Sequence, residues 1–230
     1  VDPKNDIYFT QGPMDVLDHS CSNMAFGGKM GIDGTRKLPE EVSKFKVQSS
    51  KLFEIDNSTI QQLNNSPLAP RLSSLFPEIV EVNSSLLEIG ISLVFIAVKK
   101  NRKNHIKELN QAIFNLPVVE NIKAVIYLED SIDISDIADA VWRFANNIDP
   151  KRDHFIVETE NGSHVGFDGT RKTKEFDGFE RDWPSILASD EATIQRIDEI
   201  WNKLGLGEFI KSPSLKYRKQ LYKGGAVVEE

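Results

Sequence analysis

A continuous apolar run from Gly90 to Val98 restricts the fold of this chain more than any other feature of the sequence. The run reads GISLVFIAV and lacks the alternation of polar and apolar residues that is typical of a strand with one face in water. It predicts a strand that is covered on both faces, as in a parallel sheet with helices above and below it. Two further strands are predicted at Ile122 to Leu128 and His154 to Thr159.

Helical patterns separate these predicted strands. The first helix runs from His105 to Leu116, with its apolar residues on one face, and Pro117 ends it. Asp133 or Ser135 can cap the second helix, because their side-chain oxygens accept backbone N–H groups. Since the connections are short, we predict right-handed crossovers and an α/β fold, a small parallel sheet of β-α-β-α-β type with helices on its faces. The apolar face of the second helix comprises Ile137, Ala140, Val141 and Phe144.

A long C-terminal helix is predicted from Asp190 to Leu204, where Gly205 ends it. Its apolar face has no evident partner elsewhere in the predicted fold. We therefore expect it to pack on a neighbouring domain or subunit and to support a homo-oligomer. The residues assigned to this oligomer helix are Ile194, Ile197, Ile200, Trp201 and Leu204.

The composition disfavours several classes of protein. The 230 residues carry a net charge of −7, whereas nucleic-acid and anionic-membrane partners require a basic surface. Cys21 is the single cysteine, so neither an internal disulfide nor a cysteine-rich zinc site can form, and we expect a reducing, cytoplasmic environment. The apolar run is about half as long as a membrane span, so no integral membrane segment is expected.

The two ends and residues 38–88 have the weakest patterns. The chain opens on an Asp-Pro turn rather than a start methionine, and we expect it to be part of a longer polypeptide. Between the two ends, the spacing indicates a strand at residues 51–55, a helix at 58–64 and a turn at 67–70. Residues 216–230 are predicted to form a flexible tail.

Two blocks of sequence occur twice, in the same order. Residues 2–6 (DPKND) recur as residues 149–153 (DPKRD), and residues 27–37 recur as residues 162–172 with 7 of 11 positions identical. The offsets are 147 and 135, so the two blocks lie 12 residues closer together in the second copy. Two ordered blocks indicate an internal duplication.

Each block alone is typical of a turn rich in glycine and aspartate. We predict that the Asp33 carboxylate accepts hydrogen bonds from Thr35, and that Asp168 does the same with Thr170. Lys29 could bind phosphate, but P-loop and dinucleotide motifs require a preceding strand and a following helix. A nucleotide site is therefore not predicted.

Other residues leave functional alternatives open. Cys21 and His19 could form a nucleophilic pair, or His19 a metal site with Asp15 and Asp18, but their spacing favours a structural role. Trp142 is predicted to lie in the core. The basic run after the first strand is either a solvated turn or a contact for an acidic group of a partner domain. That run comprises Lys99, Lys100, Arg102 and Lys103.

Glu129, Asp130 and Asp133 follow the second strand, at the edge where open α/β sheets bind ligands. They support an alternative function, a ligand- or Mg²⁺-binding receiver-like α/β module. The competing interpretation is helix capping.

Several motifs in a fixed order resemble the carboxy-terminal domain of UbiD-type decarboxylases. Residues 136–144 (DIADAVWRF) resemble the D-x-x-D-V-x-W-A helix of that family, and residues 149–153 resemble its D-P-x-x-D turn. Residues 27–37 are similar to its G-S-K-M-G-x-D-A-T-x-K loop, and more so than residues 162–172. The late W-P and I-D-x-I-W segments of the family correspond to residues 182–184 and 197–201.

This resemblance implies a cytoplasmic, non-oxidative carboxy-lyase of aromatic or α,β-unsaturated acids, such as polyprenyl-4-hydroxybenzoate in quinone biosynthesis. Members of the family use prenylated FMN with a divalent metal and potassium. Their catalytic glutamate and arginine lie in a central domain that aligns with no residue here. No catalytic, cofactor-binding or metal-binding residue is therefore assigned to this chain.

We expect the chain to be the C-terminal assembly part of such an enzyme, with an upstream catalytic domain of the same chain and further copies of itself as partners. The expected segments are a tail of a first copy at 1–37, an irregular connection at 38–88, a second α/β copy at 89–215 and the tail at 216–230. The motif-loop residues, expected to be structural or to wall the cavity, are Gly27, Lys29, Gly31, Asp33, Thr35, Lys37, Gly162, Gly166, Asp168, Thr170 and Lys172.

Overall fold

The computed structural model describes residues 1–38, 67–116, 119, 121–160 and 162–222. The chain divides into two units, Val1–Arg181 and Asp182–Glu230. In chain order the elements are α1 (Pro3–Asp6), β1 (Ile7–Pro13), β2 (Phe26–Ile32), α2 (Leu68–Leu75), β3 (Ile79–Asn83), α3 (Ser85–Glu88), β4 (Leu93–Val98), α4 (His105–Phe114), β5 (Ala124–Glu129), α5 (Ile137–Asn147), β6 (His154–Thr159), β7 (Gly162–Asp168), α6 (Lys174–Asp177), α7 (Glu191–Ile200) and α8 (Ser214–Tyr217).

A five-stranded sheet with the order β3-β4-β5-β7-β6 forms the centre of the first unit. Its three inner strands, β4, β5 and β7, run parallel to one another. The edge strands β3 and β6 are antiparallel to their neighbours. The predicted α/β class is confirmed, and β6 is antiparallel because a hairpin joins it to β7.

Both faces of β4 are covered, as its apolar run predicts. Val94, Ile96 and Val98 belong to a core that also contains residues of α2 and α4. Phe95 and Ala97 point the other way, into a second core with residues of α5 and of the strand β1. All five side chains are fully buried, which is typical of a central strand between two layers.

The helix after β5 begins later than predicted. Asp136, rather than Asp133 or Ser135, caps α5 by accepting hydrogen bonds from the N–H groups of Ala138 and Asp139. Asp133 instead accepts hydrogen bonds from the N–H and hydroxyl groups of Ser135, which closes a separate turn before the helix.

The buried face of α5 is more polar than predicted. Val141 is 46% exposed and Trp142 is 48% exposed, so the prediction that Trp142 lies in the core is wrong. The buried residues of the helix are Asp139, Ala140, Arg143 and Asn147.

Regular structure occupies the part of residues 38–88 that the structure describes. The helix α2 replaces the turn predicted at 67–70, since Pro70 lies in the first turn of the helix, where proline is tolerated. The strand β3 then pairs with β4, so this part is not an irregular connection. The strand and helix predicted at 51–55 and 58–64 lie outside the described residues.

A separate two-stranded sheet is formed by β1 and β2. Ile7, Phe9 and Met30 of this hairpin pack in the same core as Phe95 and Phe167 of the large sheet. The hairpin is therefore held to the large sheet by side-chain packing and not by strand pairing.

In the second unit, Asp190 caps α7 through the N–H of Thr193, as the predicted start of the C-terminal helix requires. A 3₁₀ turn at Trp201–Lys203 continues the helix. A helical turn at Ser214–Tyr217 overlaps the start of the predicted flexible tail, and a second at Arg218–Gln220 lies within it. None of the helices in the described parts of the chain is long and apolar enough to cross a membrane.

Candidate functional site

The end of β7 carries a network of buried polar groups at the carboxyl edge of the sheet. Asp168 Oδ1 accepts hydrogen bonds from the backbone N–H of Thr170 at 3.0 Å and from its hydroxyl at 2.5 Å, which confirms the predicted turn. Lys172 Nζ donates to the carbonyl oxygens of Asp168 and Thr170, both at 2.7 Å. All three residues are 5% exposed or less.

The Asp-Pro turn at residues 149–153 adds a second buried carboxylate. The N–H of Asp149 donates to Asp153 Oδ2 at 2.8 Å, and Asp149 Oδ1 accepts hydrogen bonds from two N–H groups later in the turn. Lys172 Nζ lies 3.6 Å from Asp153 Oδ2 and 3.3 Å from Asp168 Oδ1. One buried ammonium therefore lies between two buried carboxylates.

The two carboxylates differ in how readily they ionise. Burial alone would raise the pKa of Asp168, but the charges of Lys172 and Lys100 outweigh it and hold the pKa below its usual value. Burial raises the pKa of Asp153, and Lys172 and Arg152 only partly offset this effect. The arrangement stabilises Asp168 as the anion that pairs with Lys172.

The first copies of the two repeat blocks, residues 2–6 and 27–37, form a similar network. Asp33 Oδ1 accepts hydrogen bonds from the N–H and hydroxyl of Thr35, at 2.9 and 2.6 Å. The N–H of Asp2 donates to Asp6 Oδ2, and Lys37 Nζ lies 2.5 Å from Asp33 Oδ2 and 3.0 Å from Asp6 Oδ1. The side chains of Lys37 and Asp33 remain 20% and 35% exposed, so water reaches this network.

The strand pairing of the two hairpins also corresponds. The pairs Phe9–Met30 and Gln11–Gly28 become Ile156–Val165 and Glu158–Ser163 when the offsets 147 and 135 are applied. The twelve extra residues of the first copy lie in the connection from β1 to β2. We call residues 2–37 the first module and residues 149–172 the second module.

The two modules contact each other reciprocally. The N–H of Gly28 in the first module donates to Asp149 Oδ1 at 3.1 Å. Ser163, the equivalent of Gly28 in the second module, donates to Asp2 Oδ1 at 2.7 Å, and Asp2 is the equivalent of Asp149. A Cβ at Gly28 would overlap the Asp149 carboxylate, so glycine permits this close approach. The contact thus approximates a two-fold arrangement.

A cavity of about 170 Å³ borders the network of the second module. Lys100, from the basic run, is almost buried there and donates to Thr170 Oγ1 at 2.8 Å and to Asp177 Oδ2 at 2.9 Å. The acidic partner of this lysine therefore belongs to the same unit. Charged residues lining the cavity are Lys100, Lys107, Arg152, Asp153, Asp168, Lys172 and Asp177.

The cavity at the second module does not fit the flavin cofactor that the resemblance implies for an intact enzyme. Small-molecule sites usually measure about 300–1,000 Å³, which exceeds the volume of this cavity. The described parts of the chain also contain no cluster of three or more His, Cys, Asp or Glu side chains that could hold a metal ion.

Cys21 and His19 lie in the connection between β1 and β2, where arginines hold the backbone. Arg152 donates to the carbonyl oxygen of Ser20 at 2.8 Å, and Arg181 donates to that of Cys21 at 2.7 Å. Cys21 is 1% exposed, and burial raises the pKa of its thiol. Burial also lowers the pKa of His19. This environment keeps the thiol protonated and does not favour a nucleophilic role.

Glu129 at the end of β5 and the following Asp130 and Asp133 do not form, among the described residues, a carboxylate cluster that could hold the Mg²⁺ of the alternative function. Glu129 Oε1 accepts a hydrogen bond from Arg143 at 3.1 Å, and Glu129 Oε2 accepts one from the N–H of Arg171 at 3.1 Å. Asp133 closes its own turn, and Asp130 is exposed to solvent. The glutamate therefore links β5 to a helix and to the second module.

The residues of the predicted oligomer helix lie in the second unit. Ile194 is 5% exposed, whereas Ile197 and Leu204 are 39% and 42% exposed. The indole N–H of Trp201 donates to the carbonyl oxygens of Gly207 and Glu208. An apolar surface remains accessible on this helix.

Sequence reasoning missed the residues that join the modules and line the cavity. Ser163 differs between the two copies, so the repeat gave no sign of its contact with Asp2. Lys100 was recognised only as part of a basic run. The repeat does identify equivalent positions, which is the signal that relates Asp149 to Asp2.

Comparison with known families and proteins extends these observations. The family model described as 3-octaprenyl-4-hydroxybenzoate carboxy-lyase C-terminal domain matches residues 1–34 and 58–174, more than half of the chain. An uncharacterized protein of Archaeoglobus fulgidus is 28% identical over 148 residues, which cover 59% of this chain and 31% of the relative. One of Aquifex aeolicus is 29% identical over 149 residues, covering 60% and 30%. The matched part thus spans about a third of these relatives.

Two solved structures are also similar. The vanillic acid decarboxylase of Sedimentibacter hydroxybenzoicus in its closed form has 18% identity and a TM-score of 0.48, covering 60% of this chain and 31% of that one. An evolved dimeric form of the UbiD-class enzyme HmfF from Pelotomaculum thermopropionicum has 18% identity and a TM-score of 0.43, covering 66% and 29%.

Proposed function

The chain belongs to the family of 3-octaprenyl-4-hydroxybenzoate carboxy-lyase C-terminal domains, and on this premise we propose that it is the assembly part of a UbiD-type carboxy-lyase. The substrate class of the intact enzyme is an aromatic acid such as a polyprenyl-4-hydroxybenzoate, decarboxylated without oxidation in quinone biosynthesis. The enzyme acts in the cytoplasm, and its catalytic groups and prenylated FMN belong to another domain.

One observation carries this proposal: the polar side chains of the motif loops bind to the chain itself. In the second module, Lys172 and Thr170 direct their polar atoms at neighbouring carboxylate and carbonyl oxygens. In the first module, Lys37 and Thr35 direct theirs at carboxylate oxygens. Groups that are hydrogen-bonded in this way hold loops in place, and the family motif therefore supports a structural role.

The two modules are copies that arose by duplication, and each holds the other in place. The shared hydrogen bonds, the shared strand register and the reciprocal Gly28 and Ser163 contacts support this interpretation. Residues 1–37 are then the tail of one copy and residues 89–215 the second copy. The pairing of the modules stabilises the part of the enzyme that joins subunits.

The first experiment tests whether the chain lacks cofactor chemistry of its own. Residues 1–230 are co-expressed with a flavin prenyltransferase, purified and examined by absorbance and by a decarboxylation assay. We expect neither flavin absorbance nor carbon dioxide release, because the cavity is small for a flavin. Flavin absorbance near one equivalent per chain would overturn the proposal.

A second experiment tests assembly by light scattering. The chain is expected to self-associate, and Ile197→Asp should lower its mass, because a charge on an exposed apolar helix surface opposes association. Gln195→Asp, at another exposed position of the same helix, is the matched control and should leave the mass unchanged. If the full chain is a monomer by light scattering, and a chain that lacks residues 187–230 is a monomer too, an assembly role is contradicted.

A further inference from the structure

The first hairpin is exposed where the equivalent part of the second hairpin is covered. Tyr8, which pairs with Gly31, is 63% exposed, whereas its equivalent Phe155 is partly buried. Lys29 is exposed, whereas its equivalent His164 is 2% exposed. Since the two hairpins share their strand register, this difference reflects what packs on them and not how they are built.

The equivalent glycines Gly31 and Gly166 show which face of the first hairpin is uncovered. At Gly166, a Cβ would overlap the side-chain amide of Asn110 in α4. That amide is fully buried, accepts a hydrogen bond from the Tyr127 hydroxyl at 3.0 Å and donates to the Phe155 carbonyl at 3.3 Å. At Gly31, the equivalent of Gly166, a Cβ would meet nothing within 4 Å. The first hairpin thus has the glycine for a helix contact that the described residues do not supply.

The strand edge shows the same difference. β7 pairs with β6 on one side and, in parallel, with β5 on the other, from Ala124–Val165 to Tyr127–Asp168. β2 pairs with β1, but among the described residues no strand pairs with its second edge. An open edge presents backbone N–H and C=O groups that can pair with a further strand.

From these observations we propose that β2 and the face around Gly31 form a docking surface for a β-α-β unit of the kind formed by residues 93–129. The strand equivalent to β5 adds in parallel to the open edge of β2. The helix equivalent to α4 covers Tyr8 and Gly31 and places a buried amide over the glycine. The proposal rests on the duplication proposed above, because the second module is its template.

The contacts of the second module also favour a β-α-β unit over other occupants of this surface. A lone strand would pair with β2 but would leave Tyr8, which is 63% exposed, in water. The β-α-β unit of a second copy of this chain is already paired with that copy's own β7. The relatives are about three times as long as their matched part, so members of the family have further polypeptide that can supply such a unit.

The test uses the full chain with an added copy of its own residues 89–148 joined directly before Asp2. In the second copy these residues immediately precede Asp149, so the fusion reproduces the connectivity of the template. Hydrogen exchange of the N–H groups of β2 is compared with that of residues 1–230 alone. We expect at least tenfold slower exchange in β2 of the fusion.

Gly31→Val provides the blocking variant. In residues 1–230 it should leave the melting temperature unchanged, because nothing lies near the added side chain. In the fusion it should abolish the protection of β2, because the valine occupies the place of the helix amide. Gly12→Thr is the matched control, since it only introduces the residue found at the equivalent position, Thr159, and should retain the protection.

Unchanged exchange in β2 of the fusion would overturn the docking proposal, and so would protection that survives Gly31→Val. Neither result affects the assembly role, whose tests are flavin absorbance and the mass of residues 1–230. Conversely, flavin binding by the unfused chain would overturn the assembly role and leave the protection of β2 unaffected.

Discussion

Removing the ammonium group that lies between two buried carboxylates should destabilise the first unit strongly. In Lys172→Met, Asp153 and Asp168 keep their buried positions but lose the positive charge 3.6 and 3.3 Å away. Removing one partner of a buried ion pair typically costs about 3–5 kcal/mol. At about 2–4 °C per kcal/mol for a protein of this size, the melting temperature should fall by roughly 6–20 °C.

Protonation limits this loss and makes it depend on pH. A carboxylate with an ordinary pKa of about 3.9 can be neutralised at pH 7 for about 4 kcal/mol, since each pH unit corresponds to about 1.4 kcal/mol. At pH 5 the same step costs about 2.7 kcal/mol less. The destabilisation by Lys172→Met should therefore shrink as the pH falls from 7 to 5.

The first module provides a control in which the equivalent lysine also lies between two carboxylates but is less deeply buried. Lys37 contacts Asp6 and Asp33 as Lys172 contacts Asp153 and Asp168, but its side chain is 20% exposed rather than 2%. Because water screens the exposed pair, Lys37→Met should change the stability much less.

Urea denaturation followed by circular dichroism at both pH values measures these differences. The double variant Lys172→Met with Asp168→Asn should recover part of the loss, since it removes one of the two facing carboxylates while Asp153 keeps its ion pair with Arg152. Equal losses for Lys172→Met and Lys37→Met would refute the reasoning, as would a loss that is the same at pH 5 and pH 7.

Three further outcomes are expected. Burial lowers the pKa of His164, so below about pH 6.5 this histidine takes up a proton in the unfolded chain but stays neutral in the folded chain. Stability is therefore lost as the pH falls. In urea titrations, His164→Gln should reduce the slope of stability against pH between about pH 7 and 5. Cys21 is buried with a raised thiol pKa, so its alkylation by iodoacetamide, followed by mass spectrometry, should be much slower in the native chain than in urea. Gly166→Val should cost about 1–3 kcal/mol in the same titrations by overpacking against Asn110, whereas Gly31→Val should cost nothing measurable.

Local chemistry made much of the large sheet and its helices predictable. The strand β4, the helix α4 and the strand β6 lie where apolar spacing predicts them, because burial on one or both faces imposes a period on neighbouring residues. The aspartate turns at Asp33 and Asp168 were also predictable from near neighbours, since each carboxylate accepts hydrogen bonds from groups two residues away. Strands β2 and β7 were missed because their glycines interrupt any apolar pattern.

The candidate site could be predicted only in part. The repeat identified the motif-loop residues and their turns, but nothing local indicated that Lys100 binds Asp177 or that Arg143 binds Glu129. Trp142 is a large apolar residue on a predicted helix, and its side chain is nevertheless half exposed. Such contacts join residues that are distant in the chain, and a single sequence does not show which distant residues lie close together in space.

By itself, the sequence determined the α/β class, the repeat and the turn chemistry of each module, because these follow from spacing between near neighbours. Only the tertiary structure decided that the two modules contact each other reciprocally and differ in depth. Identical DGTRK segments form an exposed network at Lys37 and a buried one at Lys172. The surroundings make this difference, because β5 and α4 cover the second hairpin, while no described strand or helix covers the same face of the first.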